Sequence, residues 1–245
     1  MRQFRLFTWE EGVSVMLTIK GMSACYGESV VIPNLDLEVP DNKIVCLIGR
    51  NGVGKSTTLK SIMGQVKTPG GSIKLAGTEL IKMATYDRVK QGIGYVPQGR
   101  DIFPQMTVQE NLELGMKANG IKGSVPDYIY DLFPILPTFA SRRGGDLSGG
   151  QQQQLAIARA LVLKPKILIL DEPTEGIQPS IIQDIGTAIR KVNKELGITV
   201  LIVEQYLEFV LGISDYLYVM EKGEIVMQGE TTQIPAQEVQ RVMTV

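Results

Sequence analysis

An α/β fold with a parallel sheet covered on both faces is predicted by the alternation of strand-sized apolar runs and helical stretches in this 245-residue chain. The runs 93–96, 167–170, 198–203 and 216–220 are short and apolar, and helical patterns separate them. A second observation is the glycine-rich stretch Gly49-Arg50-Asn51-Gly52-Val53-Gly54-Lys55-Ser56, which fits the phosphate-binding pattern G-x-x-x-x-G-K-S/T. A third is the first third of the chain, where short strands and turns flank that stretch and predict a small antiparallel sheet beside the parallel core.

Taken in order, residues 1–15 hold Arg2, Arg5, Trp9, Glu10 and Glu11 without the apolar core of a secretory signal, and are expected to form a poorly tied extension. Leu35, Leu37 and Val39 alternate with Asp36 and Glu38, as in a half-buried strand. Ile44-Val45-Cys46-Leu47-Ile48 reads as a fully buried strand, and 57–63 as a helix stopped by Gly64. Pro69-Gly70-Gly71 is expected to separate that helix from a strand at 72–75. Thr107-Val108-Gln109-Glu110 is a capping box for a helix reaching roughly Lys117, and Ser148 caps another that ends before Pro165. Pro179 opens a helix closed by Gly197, with Ile181, Ile182, Ile185, Ala188, Ile189, Val192 and Leu196 as its apolar face.

Composition bounds the function. With 44% hydrophobic and 21% charged residues the chain can bury a full core and is most simply one large domain. No apolar run approaches the ~20 residues of a membrane helix, so the chain is not expected to form a channel itself. A net charge of −1 leaves no electrostatic footprint for duplex DNA, and no nucleic-acid partner is expected. Cys25 and Cys46 have no cysteine neighbour at metal spacing and the chain has no histidine, so they read as reduced core thiols without a zinc site.

The glycine-rich stretch carries chemistry because of where it lies. Glycines between a buried strand and a new helix let backbone N–H groups turn inward around an anion, and the helix adds its positive end. Lys55 can then reach the outer phosphates of a nucleoside triphosphate, and the Ser56 hydroxyl can hold Mg²⁺. The acids Asp171 and Glu172 follow four large apolar residues: Asp171 can hold Mg²⁺ through water, and Glu172 can polarise an attacking water. Ser148, Gly149 and Gly150 present a second helix start, which by itself reads only as an N-cap.

With Leu147-Ser148-Gly149-Gly150-Gln151 followed by Asp171-Glu172, the chain resembles the ATP-binding subunits of ABC transporters over residues 17–230. Tyr26 matches the adenine-stacking aromatic, 49–57 (through Thr57) the Walker A loop, Gln98 the glutamine loop, 147–151 the signature and Asp171-Glu172 Walker B. The resemblance implies a P-loop NTPase (RecA-like) core at 16–98 and 162–245, an antiparallel β subdomain, and an inserted α-helical subdomain at 99–161. It implies ATP and Mg²⁺ as ligands, with Gln98 on Mg²⁺ or the attacking water. Ser148, Gly149, Gly150 and Gln151 would serve the nucleotide of a second ATPase subunit, identical or paralogous. Membrane permease subunits and, indirectly, a solute-binding protein are the further partners implied, with the chain on the cytoplasmic face of the membrane. Phe103, Pro104 and Met106 are candidates for the groove that receives a permease helix, or equally for subdomain core.

Two departures narrow the resemblance. Gln205 stands where most relatives have a switch histidine, and it can donate to a γ-phosphate without carrying charge. Glu175-Gly176-Ile177-Gln178 stands where many relatives have Ser-x-Leu-Asp, which removes the aspartate of the cross-dimer contact. The Val203-Glu204-Gln205 form, with Pro97-Gln98-Gly99-Arg100, resembles importers of branched-chain amino acids, amides and urea. The run 150–159, with its four consecutive glutamines, and the segment 172–179 look most like the urea importer's ATPase, so urea is the favoured cargo by resemblance, with branched-chain amino acids or amides as the alternative.

Overall fold

The computed structural model describes residues 13–244. Two sheets organise them. In the antiparallel one, β1 (Val15–Tyr26) lies between β2 (Ser29–Pro40) and β4 (Lys67–Leu75), and β5 (Thr78–Glu79) forms the edge beyond β4. The other runs β10-β9-β3-β8-β7-β6, comprising β3 (Ile44–Ile48), β6 (Ile93–Val96), β7 (Ile167–Asp171), β8 (Thr199–Glu204), β9 (Tyr216–Glu221) and β10 (Glu224–Glu230). Its pairs are parallel except for the antiparallel edge strand β10.

Burial explains why the central strands read as unbroken apolar runs. Alternate residues of β3 face opposite cores: Cys46 and Ile48 pack among the helices, while Val45 and Leu47 pack towards the antiparallel sheet. Leu168 and Leu170 of β7 likewise oppose Ile167 and Ile169. Each such side chain contributes about 1.5–3 kcal/mol on burial, and polar alternation would forfeit one of the two layers. Cys25 and Cys46 are both buried free thiols, and burial pushes the Cys46 thiol up.

The helices are α1 (Lys55–Ile62), α2 (Thr85–Lys90), α3 (Val108–Ala118), α4 (Asp127–Leu132), α5 (Ile135–Thr138), α6 (Gly149–Leu161), α7 (Pro179–Leu196), α8 (Leu207–Ile213) and α9 (Ala236–Thr244). Helices α3 to α6 lie between β6 and β7. Both capping boxes form: Thr107 Oγ1 accepts from Glu110 N at 3.1 Å, and Ser148 Oγ accepts from Gln151 N at 3.4 Å, each returned to the cap N–H by the third residue's side chain. Gly197 closes α7 in the left-handed conformation, φ 66°.

The structure departs from the sequence reading in two places. Pro69-Gly70-Gly71 lies inside β4, because an irregularity in the β1–β4 register between Lys20 and Ser23 absorbs it. Gly71 sits there at φ 93°, where a Cβ would meet Gly21 O at 2.5 Å. Leu196 is 39% exposed, since the last turn of α7 runs past the core. The expected extension at 1–15 falls mostly outside the described residues, and β1 already begins at Val15.

A buried arginine ties the C-terminus of α1 to the segment that precedes α2. Arg88 on α2 is 2% exposed and donates to Ser61 O (2.8 Å), Ile62 O (2.7 Å), Met83 O (2.9 Å) and Ile81 O (2.9 Å). Two of these carbonyls lie at the C-terminus of α1, where Ser61 O also accepts from Gly64 N at 3.1 Å, and a cation there complements the helix dipole.

Candidate functional site

Three adjacent parallel strands end at one edge of the sheet and deliver the chemistry there. β3 leads into the glycine loop, β7 ends on Asp171, and β8 ends on Glu204. Ligands of open parallel sheets bind beyond such carboxyl ends. A cavity of about 280 Å³ opens at this edge, lined by Asn51, Gly52, Gly54, Lys55, Ser56, Thr57, Gln98 and Glu172.

The glycine loop is shaped by close packing from outside. A Cβ on Gly49 would meet Met220 O at 2.5 Å, so only glycine allows the chain to leave β3 at this angle. Arg50 O accepts from Lys55 Nζ at 3.0 Å, and Val53 O accepts from Gly223 N at 2.8 Å, which fixes the loop between α1 and the β9–β10 turn. Gly54 then caps α1 at φ 116°.

Lys55 is almost wholly buried and lies 3.3 Å from Glu172 Oε1. Glu172 adopts the left-handed conformation, φ 46°, uncommon and costly for a side chain of this type. Its other carboxylate oxygen accepts from Gln98 Nε2 at 3.2 Å, and that amide also donates to Glu175 Oε2 at 2.9 Å. Gln98 thus bridges two acids of the loop after β7.

Asp171 is 2% exposed, and its Oδ1 accepts from Ser56 Oγ at 2.9 Å. Its Oδ2 is buried with no partner. Burial raises the Asp171 carboxyl above the ordinary range; Ser56 opposes the shift and the neighbouring Glu172 charge adds to it. An orphaned carboxylate oxygen beside a serine hydroxyl fits Mg²⁺, which binds through one or two carboxylates together with phosphate and water oxygens. Among the described residues no group of three or more His, Cys, Asp or Glu could hold a metal by itself.

Other expected site residues lie apart from this cavity's lining. Tyr26, at the end of β1, is 49% exposed and presents an open aromatic face. Ser148, Gly149, Gly150 and Gln151 form the first turn of α6. A Cβ on Gly150 would meet Ile181 Cγ2 at 2.6 Å, so this chain's own packing of α6 on α7 already requires glycine there. Gln205 is exposed, and its backbone N–H donates to Glu204 Oε2 at 2.9 Å. Phe103 is 45% exposed with the Arg159 guanidinium 5.0 Å from its ring centre.

Sequence reasoning assigned no role to Glu175 or to Glu204. For Glu204 the signal was present, since it follows an apolar run just as Asp171 does. For Glu175 it was absent, because only the folded turn brings its carboxylate to Gln98.

Residues 32–175 match the family model described as ABC transporter. The chain is 41% identical over 218 residues to the high-affinity branched-chain amino acid transport ATP-binding protein BraG of Pseudomonas aeruginosa, covering 86% of this chain and 91% of that protein. It is 36% identical over 222 residues to a probable branched-chain amino acid transport ATP-binding protein, LivF, of Archaeoglobus fulgidus, covering 89% and 94%. The ADP conformation of MJ1267, an ATP-binding cassette of an ABC transporter, superposes with a TM-score of 0.79 at 28% identity, over 95% of this chain and 96% of that one. A dimeric post-hydrolysis structure of the cassette MJ0796 bound to ADP and phosphate gives 0.79 at 26% identity, over 88% and 99%. With its P-loop, Mg²⁺-competent aspartate and these relatives, the chain belongs to the ABC transporter family, as an ATP-binding subunit that hydrolyses ATP with Mg²⁺.

Proposed function

We propose that this chain energises an importer of branched-chain amino acids, working as one of two ATPase subunits on the cytoplasmic face of a membrane permease. The observation that carries the hydrolytic part is the meeting of Lys55, Ser56, Asp171, Glu172 and Gln98 at one sheet edge. Lys55 and the N–H groups opening α1 bind the outer phosphates. Ser56 and Asp171 hold Mg²⁺, which when bound neutralises charge developing on the phosphates. Glu172 takes the proton of the attacking water, and Gln98 orients that water and registers the loss of phosphate. Tyr26 stacks on the base. Gln205 donates to the γ-phosphate, and Ser148 with Gly149, Gly150 and Gln151 addresses the nucleotide of the facing subunit. The core at 16–98 and 162–245 and the helical subdomain at 99–161 move against each other as nucleotide turns over.

The cargo rests on the names of BraG and LivF, both specified for branched-chain amino acids. They favour that reading over urea, which the 150–159 run and the 172–179 segment suggested. The ATPase chain touches no cargo, so the test lies in the assembly. The chain is purified from membranes with its co-purifying permease and binding protein, reconstituted in liposomes, and assayed for ATP-dependent uptake of labelled leucine and labelled urea. Leucine uptake supports the proposal; urea uptake without leucine uptake replaces it.

A further inference from the structure

We propose that Glu204 is a positioning residue for hydrolysis, a buried carboxylate that holds the turn carrying Glu172 and the loop carrying Gln205 in one fixed relation. The proposal rests on Glu172 acting as the base.

Glu204 is the last residue of β8 and is 1% exposed. Its Oε1 accepts from Thr174 N at 3.0 Å and Thr174 Oγ1 at 2.6 Å, and its Oε2 accepts from Gln205 N at 2.9 Å and Tyr206 N at 3.1 Å. Four donors converge on one side chain from two separate loops. Only an ionised carboxylate meets them all, because it offers two oxygens and no donor of its own. A glutamine would turn an NH₂ group towards N–H donors on one side. Burying a carboxylate is costly, and these four donors are what offsets it.

The Thr174 arm reaches the reacting group. Thr174 lies two residues beyond Glu172, and Glu175 N donates to Glu172 O at 3.2 Å to close the turn. Glu172 N donates to Val203 O at 2.9 Å, the residue before Glu204. Two consecutive residues of β8 therefore pin the turn on both sides of the left-handed Glu172. A conformation of this kind persists only when its surroundings over-determine it. The second arm fixes the backbone of Gln205, so base and sensor share one reference point.

The test uses the reconstituted transporter with wild type, Glu204→Gln, Thr174→Val, Thr174→Ser and Glu172→Gln. Turnover, ATP affinity and amide hydrogen exchange over 173–176 and 205–207 are measured for each. Glu204→Gln should lower kcat by about 10- to 100-fold, the scale of a misplaced catalytic group, with ATP affinity changed less than about threefold. Exchange should quicken in both segments together. Thr174→Val should lower kcat by about three- to tenfold, and Thr174→Ser should restore more than half of that loss. Wild-type turnover in Glu204→Gln alongside an inactive Glu172→Gln overturns the positioning role alone. Faster exchange confined to 205–207 overturns the coupling, and a loss of ATP affinity in proportion to lost thermal stability reduces Glu204 to a fold residue. Full turnover in Glu172→Gln overturns the base assignment and this proposal with it.

Discussion

Asp171 and Glu172 are neighbours with opposite relations to their surroundings. Glu172 is matched by Lys55 and Gln98, whereas Asp171 keeps one buried oxygen without a partner. Because the folded state raises the Asp171 carboxyl, ionising it works against the fold as pH rises above the ordinary carboxylate range. Asp171→Asn should therefore melt higher than wild type without nucleotide at pH 7, by ~2–4 °C, the size of a 1 kcal/mol change in a domain of this length. The difference should shrink as pH falls towards about 4, by which point Asp171 is neutral in the fold. The same variant should lose stabilisation by Mg²⁺-ATP, and calorimetry with and without Mg²⁺-ATP checks both halves. Glu172→Gln should keep nucleotide binding and lower turnover by ~10²–10⁴-fold, measured as phosphate release by the assembled transporter. Gln205→Ala should slow turnover about ten- to a hundredfold with ADP affinity little changed, since a bond to a charged acceptor contributes about 1.5–3 kcal/mol. Unaltered phosphate release in Gln205→Ala would move the sensing role elsewhere.

Helix α1 is held at both ends, by the glycine loop before Lys55 and by Arg88 after Ile62. Arg88→Met removes four hydrogen bonds made by a buried side chain, and stability should fall by about 2–5 kcal/mol in chemical denaturation. At the other packed junction, Gly150→Ala forces a methyl towards Ile181 and should cost about 1–3 kcal/mol. Ile181→Ala in the same chain should recover part of that loss, and a double mutant no more stable than the sum of the singles would refute the contact. The elements most legible in the sequence were those with two independent signals. Helix α7 had Pro179 and Gly197 at its ends and a periodic apolar face between them. β4 was cut short because Pro69-Gly70-Gly71 looks like a turn, and only pairing with the bulged β1 makes it a strand. The Walker residues were legible because each is set by a local strand-to-loop transition. Glu175 was not, and of Glu204 only its place at the end of an apolar run was, because the contacts to Gln98 and Thr174 join segments 30 or more residues apart.

At the scale of the whole molecule, residues expected to serve one nucleotide stand in two places. The first turn of α6 does not line the cavity that holds Lys55 and Glu172, and under the proposed function it serves a second subunit. Sedimentation of Glu172→Gln, alone or with a co-purified paralogue, should show association that depends on Mg²⁺-ATP and reverses with ADP. No helix among the described residues is long and apolar enough to cross a membrane. The ion pair between Lys55 and Glu172 bears on how turnover is timed. A lysine neutralised by the base meets incoming phosphate as a competitor, not as a vacant cradle. Under the proposed function, whatever draws Lys55 away removes the ion pair from Glu172 while Gln98 still holds its other oxygen, so loading the site and freeing the base from its lysine are one exchange of partners.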